Sequence, residues 1–250
     1  MHKSYLLPVL SITAGTLVGC AEVDSEQIRT SGFFVNADVT AAGDVANIQV
    51  RLRTGDDFDS DTIVLTSGDQ LSANLTGQTI ELPRLNAAYS GTFNPAAGGD
   101  ELTLSLARPN DTDAPNSRVT LPLDFDISAP AFSTSFVAGE SITVVWSPGD
   151  RGSTMTLRYS AGCTLIEGSN SFHGRRVGRT FNNIPDTGTH TVAVNAILNA
   201  FNDQDELARG IACPMEITLT REQSGTLDPE FRSGSIDARR MKFVLVNVTP

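Results

Sequence analysis

Apolar and polar residues alternate along much of this chain. Ile48-Gln49-Val50-Arg51-Leu52-Arg53 places aliphatic side chains on one face and polar or basic ones on the other, which predicts a half-buried antiparallel strand. The same period of two returns in Leu102–Leu106 and in the longer run Val119–Ile127, where Pro122 falls on the outward side and so predicts an edge strand. Gly43-Asp44, Ser67-Gly68-Asp69, Thr76-Gly77-Gln78 and Ala97-Gly98-Gly99-Asp100 punctuate these runs with residues that turns require. Leu71–Leu75 and Thr79–Leu82 flank one of them as a hairpin. Helical periodicity is missing apart from one turn around Asp203 to Arg209. The C-terminal run Met241–Val248 predicts a closing strand, and its lack of strict alternation predicts burial on both faces or irregular pairing.

Ser128-Ala129-Pro130 ends the third alternating run and precedes a fresh start. The predicted fold is all-β: two antiparallel β-sandwich domains in tandem, 28–128 and 129–250, each long enough to bury a core of its own.

The N-terminus reads differently. Lys3 precedes an apolar stretch from Tyr5 to Val18, interrupted by Pro8, that is shorter than the roughly 20 residues a membrane-spanning helix needs, and the stretch ends in Leu17-Val18-Gly19-Cys20. That ending resembles the bacterial lipoprotein lipobox. The resemblance implies a signal peptide over 1–19, cleavage before Cys20, a diacylglycerol on the Cys20 sulfur and acylation of its new amine. Ala21, at the position that governs sorting in such proteins, implies an outer-membrane address, periplasmic or surface-facing. Residues 20–27 are then expected to form a lipidated tether reaching at most about 25 Å.

Removing 1–19, which hold one lysine and no acid, leaves 17 basic against 29 acidic side chains. So acidic a surface repels nucleic acid. Once Cys20 is acylated, Cys163 and Cys213 remain in an oxidising compartment and are expected to pair. In the chain-entropy account a loop of that length is worth about 4 kcal/mol.

In the second domain Ser141-Ile142-Thr143-Val144-Val145-Trp146-Ser147-Pro148, followed by Met155–Tyr159, is similar to strands B and C of fibronectin type III and immunoglobulin-like modules. The likeness implies an inward Trp146 in the sandwich core. Asp186-Thr187-Gly188-Thr189-His190-Thr191-Val192 resembles the stretch that builds the tyrosine corner of those modules, with His190 in the place of the tyrosine and Val192 where the immunoglobulin cysteine falls. An immunoglobulin/fibronectin III-like second sandwich is therefore expected.

Candidate chemistry is sparse. Asp57, Asp59 and Asp61 stand two residues apart in an inter-strand loop, a spacing that can wrap a calcium ion, although Thr62 and Gly68 replace the glycine and glutamate of an EF-hand. Asn202–Glu206 is a second acidic cluster. Arg175, Arg176 and Arg179, beside His173, form a basic stretch in an acidic chain and are candidate anion ligands. His190 is expected to pack structurally. There is no nucleophile elbow, no zinc-protease helix and no phosphate-cradling loop. Asp124 and Asp126, two residues apart on a strand, read as a solvated surface rather than a glycosidase pair. The expected function is a non-enzymatic, membrane-anchored interaction, adhesion or structural module of the envelope, without a cofactor and with a protein or glycan partner. The alternatives are a carbohydrate-binding accessory domain or extracytoplasmic hydrolase, and a calcium-stabilised structural module.

Overall fold

The computed structural model describes residues 21–57, 59–149, 153–167, 171–201, 207 and 211–250, with the backbone alone over 165–167 and 171–173. Cys20, the Asn202–Glu206 cluster and the turn expected around Asp203 to Arg209 lie outside the described residues, Leu207 excepted.

The first ten strands are β1 (Glu22–Asp24), β2 (Phe34–Ala42), β3 (Val45–Arg53), β4 (Thr62–Val64), β5 (Gln70–Leu75), β6 (Gln78–Glu81), β7 (Arg84–Leu85), β8 (Ala88–Phe93), β9 (Glu101–Ala107) and β10 (Ala114–Thr120). After them come β11 (Ile127–Ala129), β12 (Ser135–Val137), β13 (Ser141–Trp146), β14 (Thr154–Glu167), β15 (Ser171–Pro185) and β16 (Thr189–Ala193). A short helix α1 (Val194–Leu198), β17 (Cys213–Ser224) and β18 (Ser233–Thr249) complete the chain.

One large sheet runs β1-β4-β3-β2-β18-β17-β14-β15, with β8 and β7 added beside β3 and β12 beside β18. Two small sheets, β10-β9-β5-β6 and β11-β13-β16, accompany it. The alternation seen in sequence becomes burial at these positions. Val35, Val39, Ile48, Val50 and Leu52 pack with Leu71, Leu75, Leu102, Leu104 and Leu106 in one apolar cluster. Leu157, Tyr159, Ile217, Leu219 and Val246 pack with Ile142, Val144, Trp146 and Val192 in a second. The hairpin expected at Thr76-Gly77 joins β5 to β6, with both residues in the left-handed backbone region (φ 49° and 89°) that a tight primed turn demands.

The last strand belongs to both clusters. β18 spans 17 residues, about 55 Å when extended. Its first half pairs in parallel with β2, from Ser233↔Phe34 to Arg240↔Ala41, and buries Ile236 and Ala238 in the first cluster. Its second half buries Val244, Val246 and Val248 in the second cluster, while β17 pairs antiparallel along it from Cys213↔Val248 to Ser224↔Asp237. The β17–β18 connection returns to the first sandwich, contributing Leu227 and Phe231 there. At Gly225 it passes so close to β10 that a Cβ would fall 2.0 Å from the Arg118 carbonyl oxygen.

Three local expectations change. The run 119–127 is not one strand: β10 stops at Thr120, β11 starts at Ile127, and 121–126 crosses between the clusters, burying Leu121 in the first and Phe125 in the second. Pro122 is buried rather than outward. Residues 22–27, expected as tether, form β1 and a 3-10 turn; β1 lies parallel to β4, and Ser25 is fully buried. Along 241–248 burial alternates strictly, with Met241, Phe243 and Leu245 facing outward and exposed, so the apolar run is not buried on both faces.

Candidate interaction surface

The buried charges are structural. Asp186 opens the stretch likened to a tyrosine corner, and its carboxylate is the hub of the second sandwich. Its Oδ1 accepts from the Trp146 indole N–H at 2.7 Å and Oδ2 from Ser153 Oγ at 2.8 Å, while Arg221 Nε donates to Oδ2 at 2.7 Å and Arg221 Nη2 to Oδ1 at 3.2 Å. Burial opposes ionisation of Asp186, but these donors outweigh it and hold the carboxyl below its ordinary range. Arg221 uses its remaining N–H groups on the carbonyls of Leu123 (3.0 Å), Asp124 (3.2 Å) and Ser147 (2.6 Å), and its guanidinium lies 4.8 Å over the Phe125 ring. Arg240 stands directly opposite on β18 and donates to Pro122 O (3.2 Å) and Gly43 O (2.8 Å). The carbonyls of 122–124 therefore bond to two arginines instead of a ladder, which is why the strand expected over 119–127 breaks there.

Arg108 has the corresponding place in the first sandwich. It donates to Asp69 (2.9 Å), Asp111 (3.0 Å), Ile28 O (2.9 Å) and Ser25 O (2.7 Å), and stacks 4.8 Å over Phe33. Backbone N–H bonds from Thr112 and Thr30, and then Arg108, lower the proton affinity of Asp111.

Cys163 and Cys213 are joined by a disulfide, with Cα atoms 4.5 Å apart. Asp57 and Asp59 are exposed; the Asp57 carbonyl accepts from Ser60 N–H and that of Asp61 from Thr54 N–H, which closes the loop. Among the described residues no group of three or more His, Cys, Asp or Glu side chains is gathered so as to hold a metal ion, these three aspartates included. Arg175, Arg176 and Arg179 all lie on β15, where the alternation points Arg176 to the opposite face from the other two. Arg179 packs 4.7 Å over the Phe181 ring. Phe181 also meets His190, centroids 5.2 Å apart, and burial lowers the His190 proton affinity. The His173 side chain lies outside the described residues. Asp124 and Asp126 are exposed beside Lys242, whose Nζ is 3.4 and 3.5 Å away.

Sequence reasoning missed the outer face of the large sheet. Met241, Phe243 and Leu245 stand at successive outward positions of β18, Val137 is outward on neighbouring β12, and Leu85 projects from the same face beside β8. Leu85 also borders a groove of about 430 Å³ with Thr40, Asn47, Gln49 and Arg239. The signal was present: an apolar run in which both parities are apolar leaves one parity exposed when only one face is covered.

No family model matches the chain, and no curated protein does. Solved structures of low identity resemble it. Fibronectin(III)-like modules of Clostridium thermocellum CbhA share 11% identity over 86% of this chain and 90% of that one, with a TM-score of 0.27. A chimeric titin Z1Z2 tandem shares 11% identity over 87% and 98%, with a TM-score of 0.24. The Yersinia pseudotuberculosis adhesin InvE shares 14% identity over 88% of this chain and 59% of that one, with a TM-score of 0.23. The sheets of this chain carry the conclusion themselves: it is an all-β protein of the sandwich class.

Proposed function

We propose that the chain is a lipid-anchored, non-enzymatic interaction and structural module of a bacterial envelope, acylated at Cys20 and held at the outer membrane. The observation that carries the non-enzymatic part is the use made of its charged interior. The buried arginines Arg108, Arg221 and Arg240 and the buried carboxylates of Asp69 and Asp186 are bound into the frame by carbonyls and by one another. The two carboxyls held below their ordinary range are occupied by donors: Asp186 by Trp146, Ser153 and Arg221, and Asp111, which borders a groove of about 450 Å³ with Asp69, by Arg108 and backbone N–H groups. Rigid sandwiches present edges and loops for binding, and a protein or glycan partner is engaged through such an edge. β15 pairs with β14 alone among the described residues and exposes Arg176 and Arg179.

Mass spectrometry of the mature N-terminus, together with fractionation of Cys20→Ser, tests the anchor. Acylated Cys20 and loss of the variant from the membrane fraction are expected; an unmodified Cys20, or membrane retention of the variant, contradicts it. Incubation with envelope glycans tests the non-enzymatic part, where capture without turnover is expected and product formation contradicts the reading.

A further inference from the structure

Five of the seven large apolar side chains exposed among the described residues, Leu85, Val137, Met241, Phe243 and Leu245, project from the same face of the large sheet. Phe243 is 65% exposed and Leu85 62%, so neither is a core residue reaching its rim. Around them the charge is nearly balanced. The outward positions of the large sheet carry Arg51, Arg53, Arg158, Arg176 and Arg239 against Glu22, Asp24, Asp38, Glu216, Glu222 and Asp237, one acid in excess, whereas the whole chain has a formal charge of −11. Most of the excess acid lies elsewhere, so an anionic headgroup layer repels this face less than the overall charge of the chain implies.

The position of the N-terminus selects what covers it. Ala21 O accepts a hydrogen bond from Thr62 N–H at 3.0 Å, β1 starts at Glu22, and Glu22 is bound to Arg84, the neighbour of Leu85. Cys20 is therefore one peptide unit, about 3.8 Å between Cα atoms, from Ala21, which abuts the edge strand of this same sheet and is bonded to its neighbour β4. An acyl group at Cys20 has no tether with which to stand off, so it holds that edge at the lipid surface and leaves a choice only of which face turns toward it.

We infer that the outer face of the large sheet, the band from Leu85 past Arg239 to Met241, Phe243 and Leu245, lies against the bilayer that receives the Cys20 acyl chains. The inference rests on the proposed lipid anchor. Apolar side chains of such a surface enter the headgroup boundary by about 5–10 Å. The second sandwich is then not projected away from the membrane: β18 carries the contact from one sandwich into the other.

The test uses full-length acylated protein in phosphatidylcholine vesicles with brominated acyl chains, as Phe243→Trp and, for the opposite side, Thr143→Trp on the outward face of β13. The native Trp146 is buried and hydrogen-bonded, and supplies a constant background. Phe243→Trp emission is expected to fall about twofold in brominated relative to ordinary vesicles, with no change for Thr143→Trp. Acylated protein that floats with vesicles but leaves Phe243→Trp unquenched, or quenches Thr143→Trp instead, overturns the orientation and spares the anchor. A blue-shifted but unquenched Phe243→Trp, the sign of a protein occupant, overturns it also. Protein without acyl groups at Cys20 overturns the anchor reading, and this orientation with it.

Discussion

In the first sandwich the buried guanidinium of Arg108 lies 4.8 Å over the Phe33 ring and gathers Asp69, Asp111 and the carbonyls of Ser25 and Ile28; in the second, Arg221 lies 4.8 Å over Phe125 and gathers Asp186 and the carbonyls of Leu123, Asp124 and Ser147. The device is the same: a planar, permanently charged fork whose donors satisfy chain that no ladder reaches. The loads differ. Arg108 ties down residues 25–30, all within the first sandwich, so its reach is local. Arg221, with Arg240 opposite, ties down the crossing 122–124 between two apolar clusters, so its reach is the joint. The second sandwich also has a disulfide, 50 residues apart in sequence, and the first has none among its described residues.

Breaking the joint should cost most. Arg221→Met leaves the Asp186 carboxylate buried without its partner and frees the Leu123 and Asp124 carbonyls, for an expected loss of about 3–5 kcal/mol. Denaturant unfolding followed separately in each half should then lose its single transition. If Arg221→Met unfolds at one unshifted midpoint, the joint does not depend on this arginine. Removing the disulfide as Cys163→Ala with Cys213→Ala is expected to cost about 2–4 kcal/mol, felt in the second sandwich and passed to the first through β18 and the crossing 121–126. Hydrogen exchange resolved by peptide separates those two effects.

Arg108→Met is expected to cost about 2–3 kcal/mol, because Asp69 stays buried while Asp111 is partly exposed and keeps backbone donors. Exchange should accelerate over 22–30 and leave β13 and β16 unchanged; acceleration across both sandwiches would erase the contrast between the two arginines. Acid gives the smallest and finest comparison. Asp186 and Asp111 have folded proton affinities below their unfolded values, so each contributes stability above about pH 4 that is lost as pH falls through its folded value. His190, kept neutral by burial, adds a smaller contribution present above about pH 6.5 and lost on the way down. Midpoints measured from pH 8 to 3 should decline gently and then steeply, and Asp186→Asn should flatten the steep part.

Much of this frame can be read from alternation because alternation is a local consequence of burying one face. β3, β9 and the β5–β6 hairpin fall where the pattern puts them, and Cys163 pairs with Cys213 as expected. What escapes the sequence depends on partners far along the chain. Leu121–Asp126 alternates like a strand, but its carbonyls are claimed by Arg221 and Arg240, about a hundred residues away. Asp186 was visible as part of a corner motif, yet its value lies in Arg221. The polar segment 22–27 reads as tether until β4 supplies it with a strand to join. Met241, Phe243 and Leu245 read as core because a single chain offers no other reason for so apolar a face.

The central claim is that the shared strand β18 and the arginine-held crossing make two sandwiches into one cooperative body. Differential scanning calorimetry of the intact protein tests it most directly. The account predicts one transition whose calorimetric and van't Hoff enthalpies agree. Two resolved transitions, each with its own enthalpy, would contradict it.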